Sequence, residues 1–155
     1  MSVMTAVTNV GKEHSELYKT ALLQSKQAEA AAQEAGLSTL LIELVKIRTS
    51  QINGCTYCMR LHTGDAIKYG ESIERLSVLS AWRETAYFDE QEQAALSLSE
   101  YVTGISNSHA NKSLYEEAAA VLTPQQLSAI TWMTISVNAL NRVAITSAYP
   151  VKPKS

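Results

Sequence analysis

Little in this sequence would interrupt a helix. Glycine occurs only six times and proline three times in 155 residues. Such scarce breakers leave long continuous stretches, which favour helices. No alternating apolar–polar segment of useful strand length is present, and there is no internal repeat or low-complexity stretch. Clusters of lysine and arginine are also missing. The 13 basic and 15 acidic side chains give a formal charge of -2, which argues against a basic surface for nucleic acid. The longest apolar runs, such as residues 40–45, are interrupted by charge and far too short to cross a bilayer. The first eleven residues lack the positive start and apolar stretch of a secretory leader. A cytoplasmic protein that binds neither membrane nor nucleic acid is therefore expected. Hydrophobic residues at 46% and charged residues at 18% suit a single globular domain, long enough to bury a core without disulfides or a structural metal. In a reducing compartment its two cysteines are better read as reactive than as a structural staple.

What is present reads as a succession of helices. Residues 12–35 are rich in strong helix formers, and Gly36 is placed to cap that helix. Ser38 can open a second helix to about residue 52, with a break at Asn53-Gly54. A third is expected over 55–69, stopped by Gly70, and a short fourth from Ser72 to about 81. Asp89, with Glu92 at the third helical position, opens a helix to about 102. Thr123, Pro124 and Gln126 supply an N-cap, a first-turn proline and a capping box for a long helix to about 145. Residues 111–122 are expected to be helical too. The tail, 149–155, carries two prolines and two lysines and is expected to be loose or to pack on a partner. The expected fold is all-α: one domain over 1–155, a bundle of six or seven helices with its core over about 36–145.

The chemistry concentrates at Cys55, Cys58 and His62. At about 100° per residue, the three side chains share a helical face roughly 60° wide. Cys58 and His62 are neighbours one turn apart, and Cys55 and Cys58 can approach disulfide distance at a helix start. The unpaired amides and positive dipole end of that start stabilise a thiolate, and an imidazole can take the thiol proton. Position alone favours Cys55 as the more acidic thiol; the contact with His62 favours Cys58. Glu43 is a carboxylate between apolar neighbours, on a helix expected to be buried nearly all round. It needs a partner there, and His62, directly or through a water, can be that partner. An arginine is the competing structural partner. Lys46, Arg48 and the polar residues 49–51 suggest that this helix then emerges toward solvent.

Taken together, Glu43, Cys55-Thr56-Tyr57-Cys58 and His62, with Glu43 twelve positions before the first cysteine and His62 four after the second, closely resemble the AhpD-like branch of the carboxymuconolactone decarboxylase family. The flanks are similar as well: Asp65-Ala66, the stretch 81–84, Phe88 and the stretch 138–142. The resemblance covers roughly residues 36–145. It implies an all-helical, oligomer-forming fold and thiol peroxidase chemistry on an organic hydroperoxide. Carried over, Cys58 attacks the peroxide, Cys55 resolves it as a disulfide, and His62 and Glu43 form the proton relay. An external dithiol, thioredoxin-like or lipoyl, is the implied reductant. The implied assembly is a homo-oligomer, dimer-based, trimeric or hexameric, with no cofactor and no metal. Where some members place a histidine between the cysteines this chain has Tyr57, so one relay or orienting group is missing. The decarboxylase branch does not depend on this cysteine pair.

Other readings stand beside this one. The same dithiol could serve a redox sensor, or the fold could carry a cofactor-free lyase or hydrolase. Cys55, Cys58, His62 and Glu43 could hold zinc, although no second Cys-x-x-Cys supports it. His14 and His109 read as surface residues. Trp82 and Trp132 read as core or interface anchors. The apolar positions 127, 130, 133, 135, 137 and 140 cover more than one helical stripe, which places the last helix in the core or in a subunit interface.

Overall fold

The computed structural model describes residues 6–107 and 111–155; His109 lies outside them. The described residues form eight α-helices, one 3-10 segment and no strand. The helices are α1 (Val10–Glu13), α2 (Ser15–Glu34), α3 (Thr39–Asn53), α4 (Thr56–Lys68), α5 (Ile73–Val78), α6 (Glu90–Thr103), α7 (Lys112–Ala119) and α8 (Pro124–Thr146), with the 3-10 segment at Leu79–Glu84. The all-α expectation holds, with one helix more than the upper count.

The extra helix comes from the N-terminal segment. Asn9 caps α1 by accepting the Lys12 amide, and the backbone leaves helical geometry at His14. Gly11 is buried, and a Cβ there would lie 3.3 Å from Tyr18 Cγ and 3.4 Å from Tyr149 Oη. That packing against the distant C-terminus sets the short first helix apart, and local composition does not encode it. His14 is exposed at the junction.

The cap signals are realised. Ser38 Oγ accepts the Leu41 amide at 3.1 Å. Asp89 with Glu92, and Thr123 with Gln126, form complete capping boxes. Each such cap contributes about 1 kcal/mol. The fourth expected helix stops early, at Val78, and tightens into the 3-10 segment. This turn buries Trp82, whose Nε1 donates to Glu100 Oε1 at 2.9 Å.

The centre of the fold is α3, packed against α4, α6 and α8. Residues 41–47 are all buried; for 41–45 the apolar pattern suggested it. Leu41, Ile42 and Val45 join α2, α6 and α8 through Ala28, Ala32, Leu98, Ile130, Met133 and Val137. Leu44 and Ile47 face a second cluster with Ala66, Leu79, Trp82, Phe88 and Leu96. Burying each such large side chain contributes roughly 1.5–3 kcal/mol. On α8, Ile130, Met133 and Val137 are core residues, while Trp132 and Ile135 remain 50% and 39% exposed. Among the described residues, no helix is long and apolar enough to cross a membrane.

Candidate active site at the start of α4

The break between α3 and α4 builds the site. Gly54 adopts a left-handed conformation (φ 69°). Its amide bonds to the Gln51 carbonyl, and the Cys55 amide bonds to the Ser50 carbonyl at 3.0 Å. This is a Schellman ending of α3. One residue on, Cys55 is the N-cap of α4, and its Sγ accepts the Cys58 amide at 3.3 Å. The first cysteine thus closes one helix and opens the next. Cys58 follows in the first turn, and the two form a disulfide with Cα atoms 5.3 Å apart. Both are buried, at 1% and 5% exposure. Ala144 and Tyr149 pack over them, and Tyr149 meets the ring of Tyr57 edge-on, centroids 5.1 Å apart. A cavity of about 190 Å³ opens between Gly54, Tyr57, Ala144 and Ala148 beside Cys55. The tail beyond α8 runs back along α4, where Arg60 donates to the Lys152 carbonyl.

Glu43 enters from α3 and His62 from α4. His62 Nδ1 lies 3.5 Å from Glu43 Oε2, too long for a strong hydrogen bond. Both atoms are buried and lack any other hydrogen-bond partner. The other carboxylate oxygen, Oε1, accepts from Lys46 Nζ at 2.9 Å, and the same ammonium reaches Glu29 Oε2 on α2 at 3.0 Å. Burial is the largest influence on Glu43 and pushes its pKa up; His62 and Lys46 together outweigh it and hold the carboxyl below its ordinary value. For Lys46 burial pulls down, but Glu43 and Glu29 hold the ammonium above its ordinary value.

Two expectations need correction here. The helix does not emerge at Lys46: that residue is 7% exposed, and Thr49 and Ser50 are fully buried. The ion-pair partner of Glu43 is this lysine and not an arginine. The hydroxyls of Thr49 and Ser50 donate to the carbonyls of Val45 and Lys46, so their burial leaves no donor unpaired. Sequence spacing did carry a signal, since Glu43 and Lys46 stand three apart on one helix face within an apolar run. Arg48 reaches across to Glu100 on α6 at 2.9 Å. Burial pushes Glu100 up, but hydrogen bonds from Arg83, Trp82 and Arg48 bring it below its ordinary value.

A polar cluster missed by the motif ties α8 to the end of α3. Asn53 donates to both Asn138 and Asn141 at 2.9 Å, and the fully buried Asn141 donates to Ser50 Oγ at 3.1 Å. These bonds hold the residues just before Gly54.

The cysteine pair is joined as a disulfide, a bond that in general can be reduced and re-formed by reversible two-electron exchange. The proposed zinc donors are not assembled as a set. The group whose ligand atoms converge, within 4.8 Å, is Glu43, His62 and Asp65. There the Lys46 ammonium already stands against the Glu43 carboxylate, 2.9 Å from Oε1.

Comparison with known proteins bears on this geometry. Residues 17–101 match the Carboxymuconolactone decarboxylase family. The chain is 34% identical over 117 residues to the uncharacterized protein YdfG of Bacillus subtilis (strain 168), over 76% of this chain and 80% of that protein. Its fold is similar to the crystal structure of ATU0492 from Agrobacterium tumefaciens, with a TM-score of 0.81 and 29% identity over 96% of this chain and 100% of that one. That protein is described as of unknown function and, provisionally, as the antioxidant defence protein AhpD.

Proposed function

The chain belongs to the carboxymuconolactone decarboxylase family, and from that premise we propose that it is a thiol peroxidase acting on organic hydroperoxides. The observation that carries this reading is the bonded Cys55–Cys58 pair one turn before His62, with Glu43 behind the imidazole. In the reduced protein His62 takes the Cys58 thiol proton through Nε2, the nitrogen turned away from Glu43. The thiolate attacks the outer peroxide oxygen. An S–O bond forms as the O–O bond breaks, and the alkoxide leaves as an alcohol with the proton from His62. Cys58 is then a sulfenic acid. Cys55 attacks that sulfur, the S–S bond forms, and hydroxide departs as water with the Cys55 proton. An external dithiol, thioredoxin-like or lipoyl, returns two electrons and two protons to restore both thiols.

We take the protein to act in the cytoplasm as a homo-oligomer. Exposed Leu17 and Leu23 on α2 and half-exposed Trp132 and Ile135 on α8 provide apolar surface for such contacts. The burial of both cysteines favours one second reading, a redox sensor in which the same disulfide forms without rapid turnover.

The test is titration of the reduced, metal-free protein with cumene hydroperoxide, counting thiols by mass spectrometry. Rapid, stoichiometric loss of both thiols as the Cys55–Cys58 disulfide is expected. Cys58→Ser abolishes peroxide reduction, and Cys55→Ser permits one oxidation to the sulfenic acid and then stops. Loss no faster than that of a free thiol would reject the peroxidase reading, and disulfide formation without turnover on added dithiol would leave the sensor.

A further inference from the structure

Lys46 is an ammonium with 7% exposure, held between two carboxylates from different helices. Its ion pair with Glu43 occupies one carboxylate oxygen and leaves the other toward His62. We propose that Lys46 is a positioning residue that holds Glu43 ionised and aimed at His62, so that the imidazole can accept the proton of Cys58. This rests on the assignment of Glu43 and His62 as the relay.

The charge count supports the role. Glu29, Lys46 and Glu43 together carry one net negative charge, and a protonated His62 brings the group to neutrality. When the thiol proton moves to His62, the positive imidazolium joins this group and the negative charge stays on the Cys58 thiolate. Without the ammonium, Glu43 would be a buried carboxylate with the imidazole as its partner and the Asp65 carboxylate close by, and would itself compete for the proton. The other charges around the group are accounted for. From α4, Asp65 is near and pairs with Lys68 at 3.4 Å. From α6, Glu100 is engaged by Arg48, Trp82 and Arg83. From α8, the neutral Asn138 and Asn141 face the end of α3, and Arg142 bonds to Asn138.

The experiment follows alkylation of Cys58 by iodoacetamide against pH, in reduced Cys55→Ser protein. Lys46→Met is expected to slow alkylation at pH 7 by about tenfold, equivalent to about one unit in the thiol's ionisation. It should also add a second ionisation to the profile. A carboxylic-acid carbonyl band should appear in its infrared spectrum and vanish in Lys46→Met/Glu43→Gln. Lys46→Arg, which keeps the charge, should restore the original profile. In a Glu43→Gln background, Lys46→Met should change the profile no further. Wild-type profile and spectrum in Lys46→Met would overturn the proposal and leave a structural ion pair. If Lys46→Met does not fold, Lys46→Gln, which is neutral but can still donate a hydrogen bond to Glu43, tests the same position: the alkylation profile should shift to higher pH, and an unshifted profile overturns the role. Because the readout is thiol ionisation and not peroxide turnover, the Lys46 role can stand where the peroxidase reading fails. A Cys58 profile unmoved by Glu43→Gln would sink the relay, while the infrared band still reports on Lys46.

Discussion

Alanine at two glycines ten positions apart should move stability in opposite directions. Gly54 ends α3 in the left-handed region at φ 69°, and Gly64 lies inside α4. At neither position would an added Cβ meet another atom within 4 Å, so steric clash does not enter. At Gly54 the left-handed backbone costs an alanine roughly 1–2 kcal/mol. The reduced freedom of the unfolded chain offsets roughly 0.4–1 kcal/mol of this. Gly54→Ala should therefore destabilise by about 0.8 kcal/mol, the middle of the difference between these two effects. At Gly64 the helical backbone suits alanine, and Gly64→Ala should stabilise by roughly 0.5–1 kcal/mol. With a urea slope of roughly 1–3 kcal/mol per molar, the two midpoints should lie about 0.2–1 M on either side of wild type. Equilibrium urea unfolding by circular dichroism, with the disulfide state held fixed, measures both. The loss at Gly54 should also slow closure of the Cys55–Cys58 disulfide, since the same turn places Cys55 as the cap of α4. A Gly54→Ala protein as stable as wild type would refute the account of how this turn presents the first cysteine.

Stability should also fall at acid pH in a defined way. Glu43 and Glu100 are both held below the ordinary 4.5 in the folded state. Their contribution is complete above that value and is lost as pH falls through their lower folded values. Urea midpoints measured from neutral pH downward should show this loss, and Glu43→Gln or Glu100→Gln should flatten it; an acid limb unchanged in both variants would contradict the assignment. Lys46 behaves oppositely, its contribution being present below the ordinary 10.5 and lost as pH rises through its raised folded value. Access to the cysteines makes a further prediction. Because Tyr149 packs over a disulfide whose cysteines are 1% and 5% exposed, Tyr149→Ala should speed reduction by dithiothreitol; an unchanged rate would show that Tyr149 is not what shields the bond.

The helix starts were legible because they are local. Ser38, Asp89 and Thr123 each satisfy amides within three residues of themselves, and those bonds appear as the sequence implied. Glu43 was legible as an anomaly, a charge in an apolar run, and its meeting with His62 followed from two adjacent helices sharing the Asn53-Gly54 break. Lys46 was misplaced for the opposite reason. Its burial depends on Glu29, seventeen positions earlier on α2, and no helical period on α3 records that partner. The same holds for Asn141, which finds Ser50 and Asn53 across about ninety residues.

By itself, then, the sequence determined the helical class and most helix boundaries. Each of these depends on hydrogen bonds or side-chain spacing within a few residues. Only the tertiary structure decided that Lys46 is sealed between two carboxylates, that α8 is pinned to the end of α3, and that Tyr149 covers the disulfide. Those outcomes rest on desolvation, which sets the strength of every charge and contact in the site and depends on which helices come together around it.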